Sequence, residues 1–448
     1  ALSALSATLI FFSFTIHEVD GFPFPLAIPP TFGTAGLIVA VCTWRRGALS
    51  ALLSSPPFVA IGKLSYSLYL WHWPVFVLFR WTVGLETVLT AGIALVLVFV
   101  LGWMSYRFIE TPTRYNVRLK ALSRPAVVGL SLAFVLVSAG MGVMLLKGQS
   151  RMSLSQTADT ALWYADGRKP LWLPGNCTLD VKDEVLNRGT VTTWTPQGCT
   201  SITGRRVVAV GDSHGLAYSP LLRQFAADTG NTVQLWYARG CGFLQLNKPI
   251  GSHDEPCQGY YDGMLARLKK ELRPGDILFL PNLRLKRFTE QSGADAGAIE
   301  VIPGLPEDEA ARRKLAVDEA VQIIAELQKT GATIVFEAPL PLFRAPPFRC
   351  SDWFNRHNPM CAGGLTLTRT EFDALRAPIL QALTSIATRV GGPEIWDPTS
   401  RLCSRNGCDA MLNGKPLFFD GDHLSGYGNE VLYPHFRDYM RSRIGSAS

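Results

Sequence analysis

Apolar residues are distributed very unevenly along the chain. Long apolar runs at about 1–16, 27–44, 57–81, 87–106 and 125–146 each approach the length needed to cross roughly 30 Å of hydrocarbon, the second being short and proline-bearing. From about residue 150 the texture changes to short β-branched runs, regularly spaced charges and turn residues. Strands are predicted at 207–210, 232–237, 276–280, 332–337 and 393–396, alternating with helices near 216–227, 258–272, 308–330, 370–390 and 427–443. This order predicts an α-helical membrane domain of about five spans, followed by an α/β domain whose mostly parallel sheet is sandwiched between helices. The expected divisions are 1–124 for the membrane domain, 125–150 for an additional span and linker, 151–204 for an extension, and 205–448 for the α/β domain. The long connections at 284–307 and 340–369, like the extension, are expected to cover the site.

The overall hydrophobic content of 48% is therefore an average of two unlike halves. The formal charge of +7 is also unevenly placed, since residues 1–124 hold nine Lys and Arg against four Asp and Glu. Arg45, Arg46 and Lys63 flank one connection, and Arg107, Arg114, Arg118, Lys120 and Arg124 crowd another, whereas 17–26 and 82–86 contain neither Lys nor Arg. By the positive-inside rule the basic connections are cytoplasmic, which places residues from about 147 onward on the outer side of a multi-pass membrane. The charge is thus a topology signal, and nucleic acid is excluded as a partner because no basic run interleaves with aromatics. The chain opens at Ala1 inside an apolar run, without a charged leader or cleavage site, and reads as the C-terminal portion of a longer membrane protein.

Cysteine usage supports that orientation. Cys42 lies in a predicted span, and the other eight cysteines all follow residue 150. Proximity suggests the pairs Cys177–Cys199, Cys241–Cys257, Cys350–Cys361 and Cys403–Cys408, as expected of an oxidising compartment. No CxxC pair is present and the spacings do not suit a zinc site, so no metal is expected.

The chemistry concentrates at two places. Gly211-Asp212-Ser213-His214-Gly215 follows the first predicted strand, a seat that exposes a serine hydroxyl at the mouth of the sheet beside a helix N-terminus. A serine there also serves as an ordinary helix cap. Just before the last helix, Asp420-Gly421-Asp422-His423 supplies a base and a carboxylate to orient it, Asp420 being preferred and Asp422 the competing orienter.

Gly211-Asp212-Ser213 with Asp420-x-x-His423 resembles the SGNH superfamily of serine esterases and acyltransferases over roughly 205–445. The resemblance implies Ser213 as nucleophile, His423 as base and Asp420 as its orienter, with the Ser213 backbone N–H in the oxyanion hole and Gly240 or Gly242 and Asn282 as further donors. Ser65-Tyr-Ser-Leu-Tyr-Leu-Trp-His-Trp-Pro74 and Ser105-Tyr-Arg-Phe-Ile-Glu-Thr-Pro112 resemble the C-terminal part of the acyltransferase-3 family, marking Trp71, His72, Arg107 and Glu110. Bottom-up, His72 is balanced between function and interfacial anchoring, and Arg107 with Glu110 reads as a structural i,i+3 ion pair. Together the two resemblances imply a surface-polysaccharide O-acetyltransferase, with acetyl-CoA as cytoplasmic donor and a glycan hydroxyl as acceptor outside. An O-acetylesterase and a glycan-binding module are the alternatives.

Overall fold

The computed structural model describes residues 2–15, 24–43, 47–165, 178–198, 204–288 and 307–444. It divides into two compact units, residues 1–80 with 85–136, and residues 81–84 with 137–448.

In the first unit, small residues let apolar helices approach closely. Helix Leu2–Ser13 packs against Ile28–Thr43, where a side chain at Gly33 would sit 2.9 Å from Ile10 and 3.0 Å from the Ser6 carbonyl. Helices Pro56–Thr82 and Val88–Ser105 meet through Leu68, Val75, Ala94 and Val98, and Gly102 admits Leu68. Among the described residues, two helices are long and apolar enough to cross a membrane, Val88–Tyr115 and Arg124–Gln149. The runs expected as the first two spans form helices of only 12 and 16 residues. The helix over the third, Pro56–Thr82, is 27 residues long but interrupted by Lys63, His72 and Arg80. Val128, Phe134, Leu136 and Leu146 on the Arg124–Gln149 helix are exposed, an apolar surface that water would not tolerate over such an area.

The second unit is built on a seven-stranded sheet. Its strands are β1 (Thr178–Leu186), β2 (Gly189–Gln197), β3 (Val207–Gly211), β4 (Val233–Tyr237), β5 (Ile277–Leu280), β6 (Thr333–Glu337) and β8 (Glu394–Trp396), in the order β1-β2-β4-β3-β5-β6-β8. A short strand β7 (Thr366–Thr368) pairs elsewhere, with Gly407–Asp409. The five strands from β4 to β8 run parallel, while β1 and β2 form an antiparallel hairpin that joins β4 antiparallel. Every residue of β3 and β5 is buried, as expected where helices cover both faces. On one face Phe279 lies against Trp396 and Phe436 at ring distances of 5.7 and 5.3 Å, which anchors the last helix, Gly426–Ile444.

Part of the 151–204 extension, expected as a cover, is built into the sheet. The two-residue turn Asn187-Arg188, with Asn187 at φ 52°, closes the β1–β2 hairpin, and Asn187 Nδ2 also donates to the Gly259 carbonyl at 2.6 Å. The bridges Cys241–Cys257, Cys350–Cys361 and Cys403–Cys408 are formed and Cys42 is free. The expected Cys177–Cys199 pair lies outside the described residues.

Candidate active site

From β3 the chain moves to β4 on one side and then to β5 on the other, so a crevice opens beyond the carboxyl end of β3. Gly211 ends that strand and Asp212 caps the short helix Ser213–Ala217, accepting the His214 N–H at 2.9 Å. Glycine is required at 211 by crowding. A Cβ there would lie 2.3 Å from the Pro281 carbonyl oxygen and 2.8 Å from Gly215 Cα, both backbone atoms that cannot swing away. Gly211→Ala is expected to cost about 1–3 kcal/mol through forced backbone movement, read as a lower melting temperature together with loss of Ser213 reactivity.

His423 arrives on the loop before the last helix. An antiparallel bridge between Phe418 and Leu424 and a 2.8 Å bond from Phe419 N–H to the His423 carbonyl close this loop. The Phe343 N–H donates to the Gly421 carbonyl at 2.7 Å and the Phe348 N–H to that of Phe419 at 2.9 Å, bracing it from outside. Buried Asn429, on the last helix, donates to the Ala217 carbonyl at 2.8 Å, tying the histidine-bearing segment to the serine helix.

These constraints bring Ser213, Asp420 and His423 into one line. His423 Nε2 is 2.8 Å from Ser213 Oγ, and Nδ1 is 2.9 and 3.1 Å from the two Asp420 oxygens. Asp420 Oδ1 also accepts the backbone N–H groups of Asp422 and His423 at 3.0 and 2.8 Å, which fixes its orientation. Asp422 is equally close, its Oδ1 standing 2.9 Å from His423 Nδ1. Two carboxylates therefore share one imidazole edge.

Behind the line lies a charged layer that motif reasoning missed. His214 is buried, its ring stacked on that of His423 with centroids 4.1 Å apart and planes 18° from parallel. Its Nδ1 is 3.2 Å from Asp212 Oδ1 and its Nε2 is 3.4 Å from Asp422 Oδ2, which also accepts from Arg287 Nε. Burial opposes charge on His214, but the two carboxylates outweigh it and push its pKa up to about 10. Against the same cost of burial, bonds from His214 and His423 hold the Asp422 carboxyl well below the usual range. For His423 burial lowers the pKa, Asp420 and Asp422 raise it, stacked His214 pulls it back, and the net direction is upward. Deeper still, burial lifts the Glu337 carboxyl to about 7, although the Tyr218 hydroxyl donates to it and Arg284 lies near. The signal for the missed layer was local: Asp-x-His across a helix start lets a capping carboxylate hold the imidazole two residues later.

Ser213, Asp420 and His423 line a cavity of about 580 Å³. Tyr164, Trp194, Tyr237 and Phe419 give it aromatic walls, and Asp183, Thr192, Arg223 and Arg239 polar ones. The hairpin β1–β2 thus builds one side of the site.

The other expected oxyanion residues do not line this cavity. Asn282 is buried, donating to the Val210 carbonyl at 3.2 Å and accepting the Phe243 N–H at 3.1 Å. Gly240 is an exposed turn glycine at φ 78°, and Gly242 is buried with its carbonyl accepting the Tyr261 hydroxyl. His214, Asp422 and His423 hold potential ligand atoms within 4.8 Å of one another. Stacked rings aim their lone pairs in parallel rather than at a common point, unlike the convergent donors of a tetrahedral zinc site. Cys241 and Cys257, near Asp254, are spent in a disulfide.

In the first unit, Trp71 and His72 lie on the Pro56–Thr82 helix, where His72 Nδ1–H donates to the Tyr69 carbonyl. The expected Arg107–Glu110 ion pair is not formed. Glu110 instead meets Arg114 at 3.4 Å and accepts from Ser67 at 3.0 Å. The cause is a π-helical turn over Tyr106–Glu110, whose wider winding takes residues three apart out of alignment.

A parallel α/β sheet with a serine, a histidine and an aspartate in contact beyond its strand ends is the architecture of the serine-dependent esterase and acyltransferase class. Within that class the chain belongs to the family of SGNH domains fused to AT3 domains, whose model matches residues 180–438. It is 42% identical over 79 residues to O-acetyltransferase OatA of Staphylococcus aureus strain NCTC 8325, a match covering 17% of this chain and 13% of that relative. SACOL0978 of S. aureus strain COL, which also carries an O-acetyltransferase name, is 35% identical over 156 residues, 31% of this chain and 25% of its own length. The chain therefore spans a quarter or less of these relatives. The periplasmic domain of the lipopolysaccharide acetyltransferase from Salmonella ser. Paratyphi A aligns with a TM-score of 0.36 and 14% identity, over 55% of this chain and 86% of that one.

Proposed function

We propose that the protein is an O-acyltransferase, transferring chiefly acetyl groups to hydroxyls of a bacterial surface or envelope glycan through an acyl-enzyme on Ser213. The observation that carries this reading is the 2.8 Å contact between Ser213 Oγ and a His423 imidazole whose far nitrogen is held by Asp420, at the wall of a cavity wide enough for a sugar. In the first half-reaction Ser213 Oγ bonds to the acyl carbon while its proton passes to His423 Nε2, and His423 returns that proton to the leaving group. In the second, His423 takes the proton of an acceptor hydroxyl, whose oxygen displaces Ser213 from the acyl carbon. His423 then reprotonates Oγ. Asp420 keeps the proton on Nδ1 throughout, and the Ser213 backbone N–H at the helix start is the first donor for the oxyanion. Gly240, Gly242 and Asn282 are secondary candidates that would have to reach it from outside the cavity lining. The aromatic walls suit the apolar faces of sugar rings.

The acyl donor on this reading is acetyl-CoA in the cytoplasm, with the membrane half, of about five spans in a multi-pass arrangement, presenting the acyl group on the far side. Trp71, His72, Arg107 and Glu110 carry the two motifs of that half, and among them His72 is the candidate for a part in the task. The disulfides support an extracytoplasmic site, and the O-acetyltransferase names of the relatives support acyl transfer to a hydroxyl. The test is the O-acetyl proton NMR signal of envelope glycan from cells carrying and lacking the gene for this protein. A signal that depends on the gene is expected, and equal signals would overturn the assignment. Gain of O-acetyl groups on loss of the gene would identify an esterase instead.

A further inference from the structure

Two carboxylates on one imidazole pose a problem that a single one does not. Asp420 and Asp422 both stand 2.9 Å from His423 Nδ1, and together they favour a permanently protonated ring, whose Nε2 could not accept the Ser213 proton. We propose that His214, stacked on His423 and bound between Asp212 and Asp422, is a positioning residue that offsets the second carboxylate and so keeps His423 available as a base, with Arg287 completing the brace on Asp422. The inference rests on the nucleophile reading above and adds a requirement to it.

The geometry divides Asp422 between two tasks. Its Oδ1 faces His423 Nδ1, while its Oδ2 accepts from Arg287 Nε and stands 3.4 Å from His214 Nε2, an ion-pair contact without hydrogen-bond geometry. A cationic ring 4.1 Å from His423 disfavours a second cation there, most strongly where water is excluded. Asp212, Asp420 and Asp422 are opposed by His214 and Arg287, so the group carries one net negative charge while His423 is neutral. It becomes neutral when His423 takes the serine proton, the state present as the acyl carbon is attacked. Without the His214 charge the resting group would carry two negative charges, and His423 would be held protonated.

The other groups facing this layer act on His214 and Asp212 rather than on His423. Glu337 and Arg284 act by charge from the sheet side, Tyr261 faces Asp212, and Gln245 donates to Asp212 Oδ2 at 3.5 Å. They hold the brace in place and leave its effect on His423 to His214, Asp422 and Arg287.

The experiment measures the rate at which a fluorophosphonate labels Ser213 in the full chain in membranes, from pH 5 to 10, with the label located by mass spectrometry. The wild-type rate should rise with pH through a midpoint above the ordinary histidine value of about 6.5, because only neutral His423 accepts the serine proton. In His214→Gln the midpoint should move up by about one unit or more, a roughly tenfold slower reaction at pH 7 that recovers at pH 9. Asp422→Asn should move it down. A purely structural role would lower the rate at every pH, so a wild-type midpoint in His214→Gln overturns the proposal. Should that variant fail to fold, Arg287→Gln, at a partly exposed position, must show the same upward movement, and an unmoved midpoint there overturns the proposal equally. Absence of labelling in the wild type at any pH would instead overturn the nucleophile assignment and this inference with it.

Discussion

With Ser213 replaced by alanine, the protein is expected to lose acyl transfer by about 10⁴-fold or more, because the acyl-enzyme cannot form and only binding and oxyanion stabilisation remain. Retained folding is part of the expectation. Ser213 is only partly buried and its hydroxyl serves His423, so the substitution leaves no core cavity. The check is acetate incorporation into glycan by cells expressing the variant, alongside its melting temperature. An unaltered melting temperature with abolished incorporation is the expected pair, and undiminished incorporation would remove the serine from the chemistry.

The second large effect concerns stability. Arg284 is buried and donates to three backbone carbonyls, those of Leu280, Glu337 and Leu244, at 2.9, 3.1 and 3.3 Å. Burial pulls its pKa down to about 10, which still leaves it charged at neutral pH, with Glu337 and Asp212 opposing that fall. Arg284→Met keeps much of the volume but strands three carbonyls, a loss of about 3–5 kcal/mol by comparison with broken buried ion pairs. In a domain of this size that corresponds to a fall on the order of 10 °C in melting temperature. Detergent-solubilised protein followed by tryptophan fluorescence would report it, and a change within about 2 °C would show that the carbonyls find other partners.

Legibility in the sequence followed burial. Strands such as Val207–Gly211 and Ile277–Leu280 are buried on both faces and therefore written in uninterrupted apolar residues, which a pattern reading finds. Strand β1, Thr178–Leu186, lies at the sheet edge with most of its residues exposed. Its Asp, Lys and Glu residues conceal the alternation, and only the Asn187 turn marks the hairpin. The serine and the histidine were visible because local motifs surround them. The choice between Asp420 and Asp422 was not, since Asp422 would point away from its neighbour His423 on an extended chain, but the tight 419–423 loop folds both carboxylates onto one imidazole. For His214 only the Asp212 contact was local enough to be read, whereas Asp422 and the stacked His423 are brought to it by tertiary structure.

The tie between Asn429 and Ala217 also bears on the timing of synthesis. A chain made from its N-terminus delivers Ser213 some two hundred residues before His423. Until the last helix docks on the serine helix, the hydroxyl has no base beside it and is no more reactive than any other serine. If Ser213 is the nucleophile proposed above, the nascent domain is chemically silent until that docking, and its reactivity toward a serine-directed reagent becomes a direct readout of completed folding.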